Sequence, residues 1–337
     1  MNSRDRVFAT MKGEATDRRP FSGLLSLYGA RLTASPLEKY YSSSEKYAAG
    51  QRAVRDAFQP DLLFSPFALP LWGAAFGGEI RFFDSHPPNL KKPVITSVDE
   101  ISRLSVPDMD VNPHILFFRK AVQQMVEEHG NEVPIIGSML SPVDLPIMIM
   151  GIEAWLKTVL FNADGVKRML ELTVPTFLAF TNALFEDGIS AMALPTAFLT
   201  PAIATRKIVR EIAYPVLWEV LPQVKGPLVI HHVGSPFLKF LDLFSDLPNT
   251  AGFAMDVTDD PGKSREIIGS DKTLLMGPDG ASMNRKTAQQ ILEECMVILD
   301  DRVADPRFIL STCGPDIAYD TPKENILAML RAVETFK

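Results

Sequence analysis

The sequence predicts a (β/α)₈ barrel, and three observations carry that prediction. Eight short β-type runs recur along the 337 residues. Most of these runs are apolar throughout rather than alternating, which is typical of strands that are buried on both faces. Helical patterns lie between nearly all of them. Strands that alternate with helices form right-handed parallel crossovers, and eight such units can close into a barrel.

The predicted elements follow one another at short intervals. The strands are expected at residues 21–25, 62–65, 134–138, 189–194, 228–231, 252–256, 273–277 and 308–311. The helices are expected at residues 45–58, 115–128, 166–186, 206–221, 263–268, 286–299 and 323–335. We expect a single domain over residues 1–337, because neither repeats nor linkers interrupt this order.

Local signals mark some of the junctions. Gly188 is expected to stop a helix before the next strand. Thr321, Pro322 and Glu324 fit a capping box with proline at the first helical position. The segment 66–107 carries several prolines and glycines, and we interpret it as a long loop on the mouth side of the barrel. Loops of this length are usually functional or act as lids.

Composition limits the classes of function. The chain is 46% hydrophobic and 22% charged, with a formal charge of −7, and no basic run suggests a nucleic-acid or anionic-membrane partner. The first residues are charged and lack the apolar core of a secretory signal. Two cysteines, Cys295 and Cys313, are too few for a disulfide framework. We therefore expect a cytoplasmic protein, with Cys295 in helix packing.

Two adjacent histidines end the fifth predicted strand. Within residues 227–234 the apolar run Pro-Leu-Val-Ile is followed directly by His231 and His232. The chain has only five histidines. Catalytic residues of such barrels come from the C-terminal strand ends and the loops after them. His86, His114 and His129 fall elsewhere, and we expect surface roles for them. Further candidates at or near the strand ends are Tyr28, Met192, Met255, Asp256, Met276, Asp279, Cys313 and Tyr319.

Motifs at both ends of the chain resemble those of one protein family. Residues 12–20 read Lys-Gly-Glu-Ala-Thr-Asp-Arg-Arg-Pro, and residues 313–325 contain a glycine turn followed by Thr-Pro-Lys-Glu-Asn. On these motifs the chain resembles the uroporphyrinogen decarboxylase superfamily over nearly its whole length. The resemblance implies the same (β/α)₈ barrel.

The resemblance separates two branches. The decarboxylases carry an arginine-rich loop after the first strand and an aspartate after the second. Here only Arg31 stands near the first place, and Phe-Ser-Pro occupies 64–66. The other branch comprises corrinoid-dependent methyltransferases, in which a His-x-Cys motif and a later cysteine hold zinc. His231 and Cys313 match that motif, whereas Val233 stands where a cysteine is expected.

The methyltransferase branch implies a defined chemistry. Zinc held by histidine and thiolate lowers the pKa of a substrate thiol and presents it to a methyl group. A catalytic zinc needs three protein ligands, and the third could be His232, Asp256 or Asp279. Strand alternation would send His231 and His232 to opposite sides unless the strand has ended, so Asp256 is the better candidate.

These considerations lead to one hypothesis and two alternatives. We expect a methyltransferase that exchanges a methyl group between a corrinoid (methylcobalamin) protein and a small molecule, with His231, Cys313 and Asp256 as catalytic residues. Tyr28, His232, Asp279, Met192, Met255 and Tyr319 are expected to bind substrate. Either zinc persists with altered ligands, or a metal-free pocket demethylates an O- or N-methyl compound. The alternatives are a lyase that uses Arg31 or Arg206, and a non-catalytic ligand-binding barrel.

Overall fold

The computed structural model describes residues 1–336, and its centre is an eight-stranded parallel sheet. Going round the sheet, the order is β1-β10-β9-β8-β7-β6-β5-β2, so that strands adjacent in the barrel are consecutive in the chain apart from a separate hairpin, β3–β4. The strands are β1 Phe21–Ser22, β2 Leu63–Phe64, β3 Glu79–Arg81, β4 Asn89–Lys92, β5 Ile135–Ser138, β6 Ala191–Pro195, β7 Leu228–His231, β8 Thr250–Ala254, β9 Thr273–Met276 and β10 Phe308–Ser311.

The α-helices precede, connect and follow the strands of the barrel. They are α1 Ser3–Lys12, α2 Tyr28–Leu32, α3 Leu37–Tyr40, α4 Ser44–Phe58, α5 Leu71–Ala75, α6 Pro113–His129, α7 Pro146–Met150, α8 Ile152–Phe161, α9 Ala163–Glu186, α10 Arg206–Ile208, α11 Tyr214–Val220, α12 Pro261–Ile268, α13 Ala288–Asp301 and α14 Lys323–Thr335. No helix within residues 1–336 combines the length and apolar composition that a bilayer span requires.

The predicted barrel is confirmed, and each predicted strand overlaps one of its eight strands. The strands are buried almost throughout, which agrees with their continuous apolar patterns. The parallel register aligns the C-terminal strand ends, because His231 at the end of β7 lies opposite Pro195 of β6 and Ala254 of β8. The C-terminal ends of these three strands therefore open onto the same face.

A buried carboxylate joins the two strands at the seam of the barrel. Within residues 1–336 no ladder pairs β1 with β2. Instead, Asp61 accepts a hydrogen bond from the backbone N–H of Phe21 at 2.8 Å, and its own N–H donates to the Phe21 carbonyl at 2.7 Å. The guanidinium groups of Arg6 and Arg18 bind the same carboxylate, so α1 holds the seam from the N-terminal side.

Two junctions test the local signals. Helix α9 ends at Glu186, and Gly188 has φ +102°, as the helix stop predicts. The predicted capping box at Thr321 is wrong, because α14 begins at Lys323 after Pro322 and has no side-chain cap. The Thr321 carbonyl instead accepts a hydrogen bond from the Tyr28 hydroxyl. A capping box does form further back, where Thr287 and Gln290 begin α13.

The segment 66–107 is more structured than a loop. It contains α5, the β3–β4 hairpin and a 3₁₀ helix at Val98–Arg103. Gly73 allows the close packing of α5, since a Cβ there would lie 2.5 Å from the Met148 carbonyl oxygen. The tip of the hairpin, residues 82–88, reaches the barrel mouth and shares a cavity with Val233 and Pro315.

Candidate functional site at the barrel mouth

The two histidines after β7 lie side by side because the strand ends at His231. Their rings are stacked, with centroids 5.2 Å apart and planes at 12°. The chain then turns through two left-handed residues, Val233 at φ +52° and Gly234 at φ +75°. A positive φ is a genuine outlier for a β-branched residue such as valine. The backbone at Val233 is therefore strained, which is common at functional sites.

His232 ties three mouth loops together. Its Nε2 accepts a hydrogen bond from the backbone N–H of Gly314 at 3.1 Å, and its Nδ1 lies 3.3 Å from Oδ2 of Asp256. The backbone N–H of Gly234 also points at this Nδ1, at 3.0 Å, so each ring nitrogen of His232 faces a backbone N–H and Asp256 lies against the same nitrogen as Gly234. Hydrogen bonds from His232 and from Thr258 lower the pKa of Asp256 to about 2.

His231 is a neutral, shielded imidazole. Burial and the neighbouring His232 ring lower its pKa to about 3. The Phe67 ring lies 5.6 Å from it, between centroids. Its Nδ1 accepts a hydrogen bond from the backbone N–H of Val233 at 3.1 Å. The proton of the neutral ring therefore sits on Nε2, which makes that nitrogen a donor.

Cys313 is a buried thiol rather than a thiolate. Burial raises the pKa of this thiol to about 12, and the nearby carboxylates of Asp256, Asp279 and Asp259 add to the effect. Its Sγ lies 3.2 Å from the Gly277 carbonyl oxygen, to which the S–H donates. Metal ligation and nucleophilic attack both require the thiolate, and this environment opposes it.

The residues present do not fit a zinc ion. Val233 has no donor atom, the Nδ1 lone pair of His231 is engaged by a backbone N–H, and Cys313 is held as a thiol. Within residues 1–336, no three His, Cys, Asp or Glu side chains form a group that could hold a metal. No hydrogen bond joins His231 to Cys313 in this part of the chain; it is Gly314 that reaches the imidazole pair. The predicted zinc ligands His231 and Cys313 are thus not joined into one group within residues 1–336, and zinc binding stays a prediction.

The remaining predicted site residues divide between core and mouth. Tyr28 is fully buried and its hydroxyl donates to the Thr321 carbonyl, a geometry that does not favour substrate binding. Met192 is the second residue of β6, three residues before the strand end, so it lies in the barrel interior rather than at the mouth. Met255, also buried, follows β8. Asp279 caps a 3₁₀ helix by accepting a hydrogen bond from the Ala281 N–H.

Two adjoining cavities open at the mouth. The larger has a volume of about 680 Å³. The smaller has a volume of about 540 Å³ and includes Tyr319, one of the predicted substrate-binding residues. Their shared wall consists of His86, Pro87 and Pro315. The larger cavity is lined by Phe67, Leu69, Pro70, Phe83, His86, Pro87, Pro88, Asn89, Met148, Ala197, Val233 and Pro315.

The larger cavity is apolar. Of its lining side chains only those of His86 and Asn89 are polar, and there is no carboxylate, lysine or arginine among them. Phe67 and Val233 separate this cavity from His231, because the first packs on the imidazole and the second binds it through its N–H. Ligand pockets are commonly apolar cavities of roughly 300–1,000 Å³ with a few placed polar groups. The cavity matches that description.

Three buried aspartates missed by the sequence analysis brace the mouth. Asp144 accepts hydrogen bonds from the N–H groups of Phe198 and Leu199, on the loop after β6. Asp259 accepts from Phe237, on the loop after β7, and Asp316 accepts from Leu27, after β1. Burial raises the pKa of Asp144 to about 6 and that of Asp316 well above its usual range.

The arginines expected by the lyase alternative are engaged elsewhere. Arg31 donates to the Tyr28 hydroxyl and to the Tyr319 carbonyl, at 3.0 and 2.9 Å. Arg206 pairs with Asp242 on the exposed surface. A carboxylated substrate needs a cation that is free to bind it, and these two are already paired or bonded.

The fold is a (β/α)₈ barrel with two adjoining cavities at the C-terminal ends of its strands. Residues 2–336 match the family model described as uroporphyrinogen decarboxylase (URO-D), and the chain belongs to that family. The resemblance stated from the end motifs is thereby confirmed.

The relatives of the chain include proteins named as methyltransferases and as a decarboxylase. A methylcobamide:CoM methyltransferase of Methanosarcina barkeri is 23% identical over 98% of this chain and 97% of its own length. A uroporphyrinogen decarboxylase of Nitrosomonas europaea is 26% identical over 77% of this chain and 74% of its own. A solved methyltransferase structure from Methanosarcina mazei superimposes with a TM-score of 0.88 at 20% identity, covering 99% and 98% of the two chains. At that identity the superposition shows the fold alone.

Proposed function

We propose that the protein transfers a methyl group between a neutral, apolar methyl compound and a corrinoid, and that it does so without a zinc-activated thiol. The observation that carries this proposal is the apolar cavity at the mouth, which contains neither a cation for an anionic thiol nor a carboxylate for a methylammonium. Two of the methyltransferase relatives match 98% of the chain and support the reaction type.

Of the two forms of the hypothesis, the metal-free reaction is preferred because of the side chains that would have to bind zinc. A thiol needs a strong electrostatic partner to ionise near neutral pH, since its ordinary pKa is about 8.5. Here the position between His231 and the cavity is occupied by an isopropyl group, and the sulfur of Cys313 is itself protonated. A substrate that brings its own activated methyl group fits these surroundings better.

The chain would contribute binding, orientation and exclusion of water. Phe67, Phe83 and Val233 offer apolar contact to the body of the methyl compound. His231, His232 and the buried aspartates hold the mouth loops and so fix the cavity walls. When the methyl group departs, the bonding electron pair stays on the donor heteroatom, and that atom needs a proton.

The corrinoid would be presented by a partner protein at the open face of the barrel. The cavity opens between the hairpin tip and the loops after β7 and β10, through Phe83, Val233 and Pro315. A methyl group held against Val233 would then face outward, towards a corrinoid lying over the mouth. Several of the relatives are named as methylcobamide methyltransferases.

The experiment is a methyl-transfer assay with purified protein and free cob(I)alamin. The donors are methyl phenyl ether, methyl phenyl thioether and tetramethylammonium, and the readout is methylcobalamin formation by absorbance. We expect transfer from the neutral aryl donors and little from the ammonium ion. A reverse assay uses methylcobalamin with a panel of thiols. Transfer only to thiols, or from no donor at all, would overturn the proposal.

A further inference from the structure

His86 occupies the boundary between the two mouth cavities. It lies at the tip of the β3–β4 hairpin and lines both the 680 Å³ cavity and the 540 Å³ cavity. Together with Pro87 and Pro315 it forms their shared wall. The side chain is exposed, and a ligand that spans both cavities would lie beside this imidazole.

Three candidate proton donors on the loops after β7 and β10 are already committed. His232 uses Nε2 to accept from Gly314 and faces Asp256 with Nδ1. His231 is shielded from the cavity by Phe67 and Val233. The S–H of Cys313 donates to the Gly277 carbonyl. None of these groups offers a free proton to the apolar cavity.

The local structure holds the His86 ring and leaves one nitrogen available. Its Nδ1 lies 3.0 Å from the Ser85 hydroxyl, and the Phe83 ring lies 6.3 Å away in an edge-to-face arrangement. Within residues 1–336 no hydrogen bond is made by Nε2 of this side chain. The two prolines that follow, Pro87 and Pro88, restrict the backbone just after it.

We propose that His86 delivers the proton to the heteroatom from which the methyl group departs. This inference rests on the proposed function. The bond between the methyl carbon and the heteroatom breaks, and its electron pair stays on the heteroatom. The methyl group bonds to cobalt through the electron pair of cob(I)alamin. The Nε2 proton of the His86 imidazolium moves to the heteroatom, the alcohol or thiol leaves, and solvent returns a proton to the imidazole.

The test compares two donors that differ in how much they need an acid. Phenoxide is a poor leaving group, whereas 4-cyanophenoxide is a better one and depends less on protonation. Rates of methyl transfer to cob(I)alamin from methyl phenyl ether and from 4-cyanophenyl methyl ether are measured for the unchanged protein, His86→Gln and the matched control His114→Gln. His114 lies in the first turn of α6 and lines neither mouth cavity.

We expect His86→Gln to slow transfer from methyl phenyl ether by about 100-fold or more, as loss of a general acid typically does, and to slow the cyano ether far less. His114→Gln should leave both rates unchanged. Equal slowing of both ethers, or no slowing, would overturn the role of His86 while leaving the proposed function intact. No transfer from either ether by the unchanged protein would overturn both proposals.

Discussion

The backbone N–H of Gly314 donates a hydrogen bond to Nε2 of His232 at 3.1 Å, and this contact joins the loop after β10 to the loop after β7 at the barrel mouth. The same imidazole faces Asp256, after β8, through Nδ1 at 3.3 Å. One buried side chain thus fixes the relative positions of three strand ends. The shape of the apolar cavity depends on this arrangement, because Val233 and Pro315 are neighbours of the two bonded residues.

Replacing Asp256 by Asn should weaken this junction. Asparagine would remove the negative charge that lies 3.3 Å from Nδ1 of His232 and that accepts a hydrogen bond from the Thr258 hydroxyl, and weakening a buried contact of this kind costs roughly 1–3 kcal/mol. We expect chemical denaturation to show a loss of that size. Asp271→Asn, at an exposed carboxylate beside Lys272, is the control and should change the free energy of unfolding little. Equal stability of the two variants would contradict a stabilising contact between Asp256 and His232.

Strain at Val233 predicts an unusual order of stabilities. A non-glycine residue in the left-handed region costs roughly 1–2 kcal/mol, which glycine avoids. Val233, at φ +52°, should therefore tolerate glycine better than alanine, with Val233→Gly more stable than Val233→Ala by about 1 kcal/mol in urea unfolding. At Val229, inside β7, the order should be reversed. If the alanine variant is the more stable one at both positions, the prediction is wrong, because the backbone at Val233 would then not need the left-handed conformation.

The buried imidazole of His231 predicts a dependence of stability on pH. Its pKa is lowered to about 3, whereas an unfolded histidine titrates near 6.5. Above pH 6.5 both states are neutral and the group contributes nothing. Below it the unfolded state binds a proton that the folded state refuses, so stability falls by about 2 kcal/mol between pH 6.5 and pH 5.

This dependence is measured as the difference between the unchanged protein and His231→Asn. Asparagine keeps an acceptor for the Val233 N–H but does not titrate. Unfolding free energies at pH 7 and pH 5 should therefore fall more for the unchanged protein. Parallel pH profiles of the two proteins would contradict the low pKa of His231.

Cys313 should be dispensable for methyl transfer. Its thiol donates to the Gly277 carbonyl and is kept protonated by burial. We expect Cys313→Ala to retain the rate of methyl transfer within about threefold, with a stability loss of about 1 kcal/mol for the vacated volume. A large loss of rate at unchanged stability would restore this sulfur to the catalytic site.

The barrel could be predicted from the sequence because its strands leave a strong signal. A strand covered on both faces is apolar without interruption, and all eight such runs were found. The β3–β4 hairpin was missed, because its residues are mostly exposed and follow neither a helical nor a buried-strand pattern. His86 was expected on the surface and is exposed there, but its place beside the mouth could not be predicted, because that place exists only once the hairpin has folded.

The orientation of the histidines and the protonation of Cys313 depend on contacts between distant parts of the chain, which local sequence patterns do not reveal. Strand alternation would have sent the two histidines to opposite sides unless the strand had ended, and the strand does end at His231, so that the rings stack beside the turn at Val233. Sequence patterns do not predict a left-handed valine. The protonated state of Cys313 likewise arises from burial and from three neighbouring carboxylates, which come from other loops.

The central claim is that methyl transfer at this apolar mouth requires no protein-bound zinc. The most direct test measures transfer from methyl phenyl ether to cob(I)alamin before and after exhaustive dialysis against a zinc chelator, with zinc content determined on the same samples. The account predicts an unchanged rate and less than about 0.1 zinc per chain, since a catalytic site would hold one. A rate that disappears with zinc and returns when zinc is added back would contradict it.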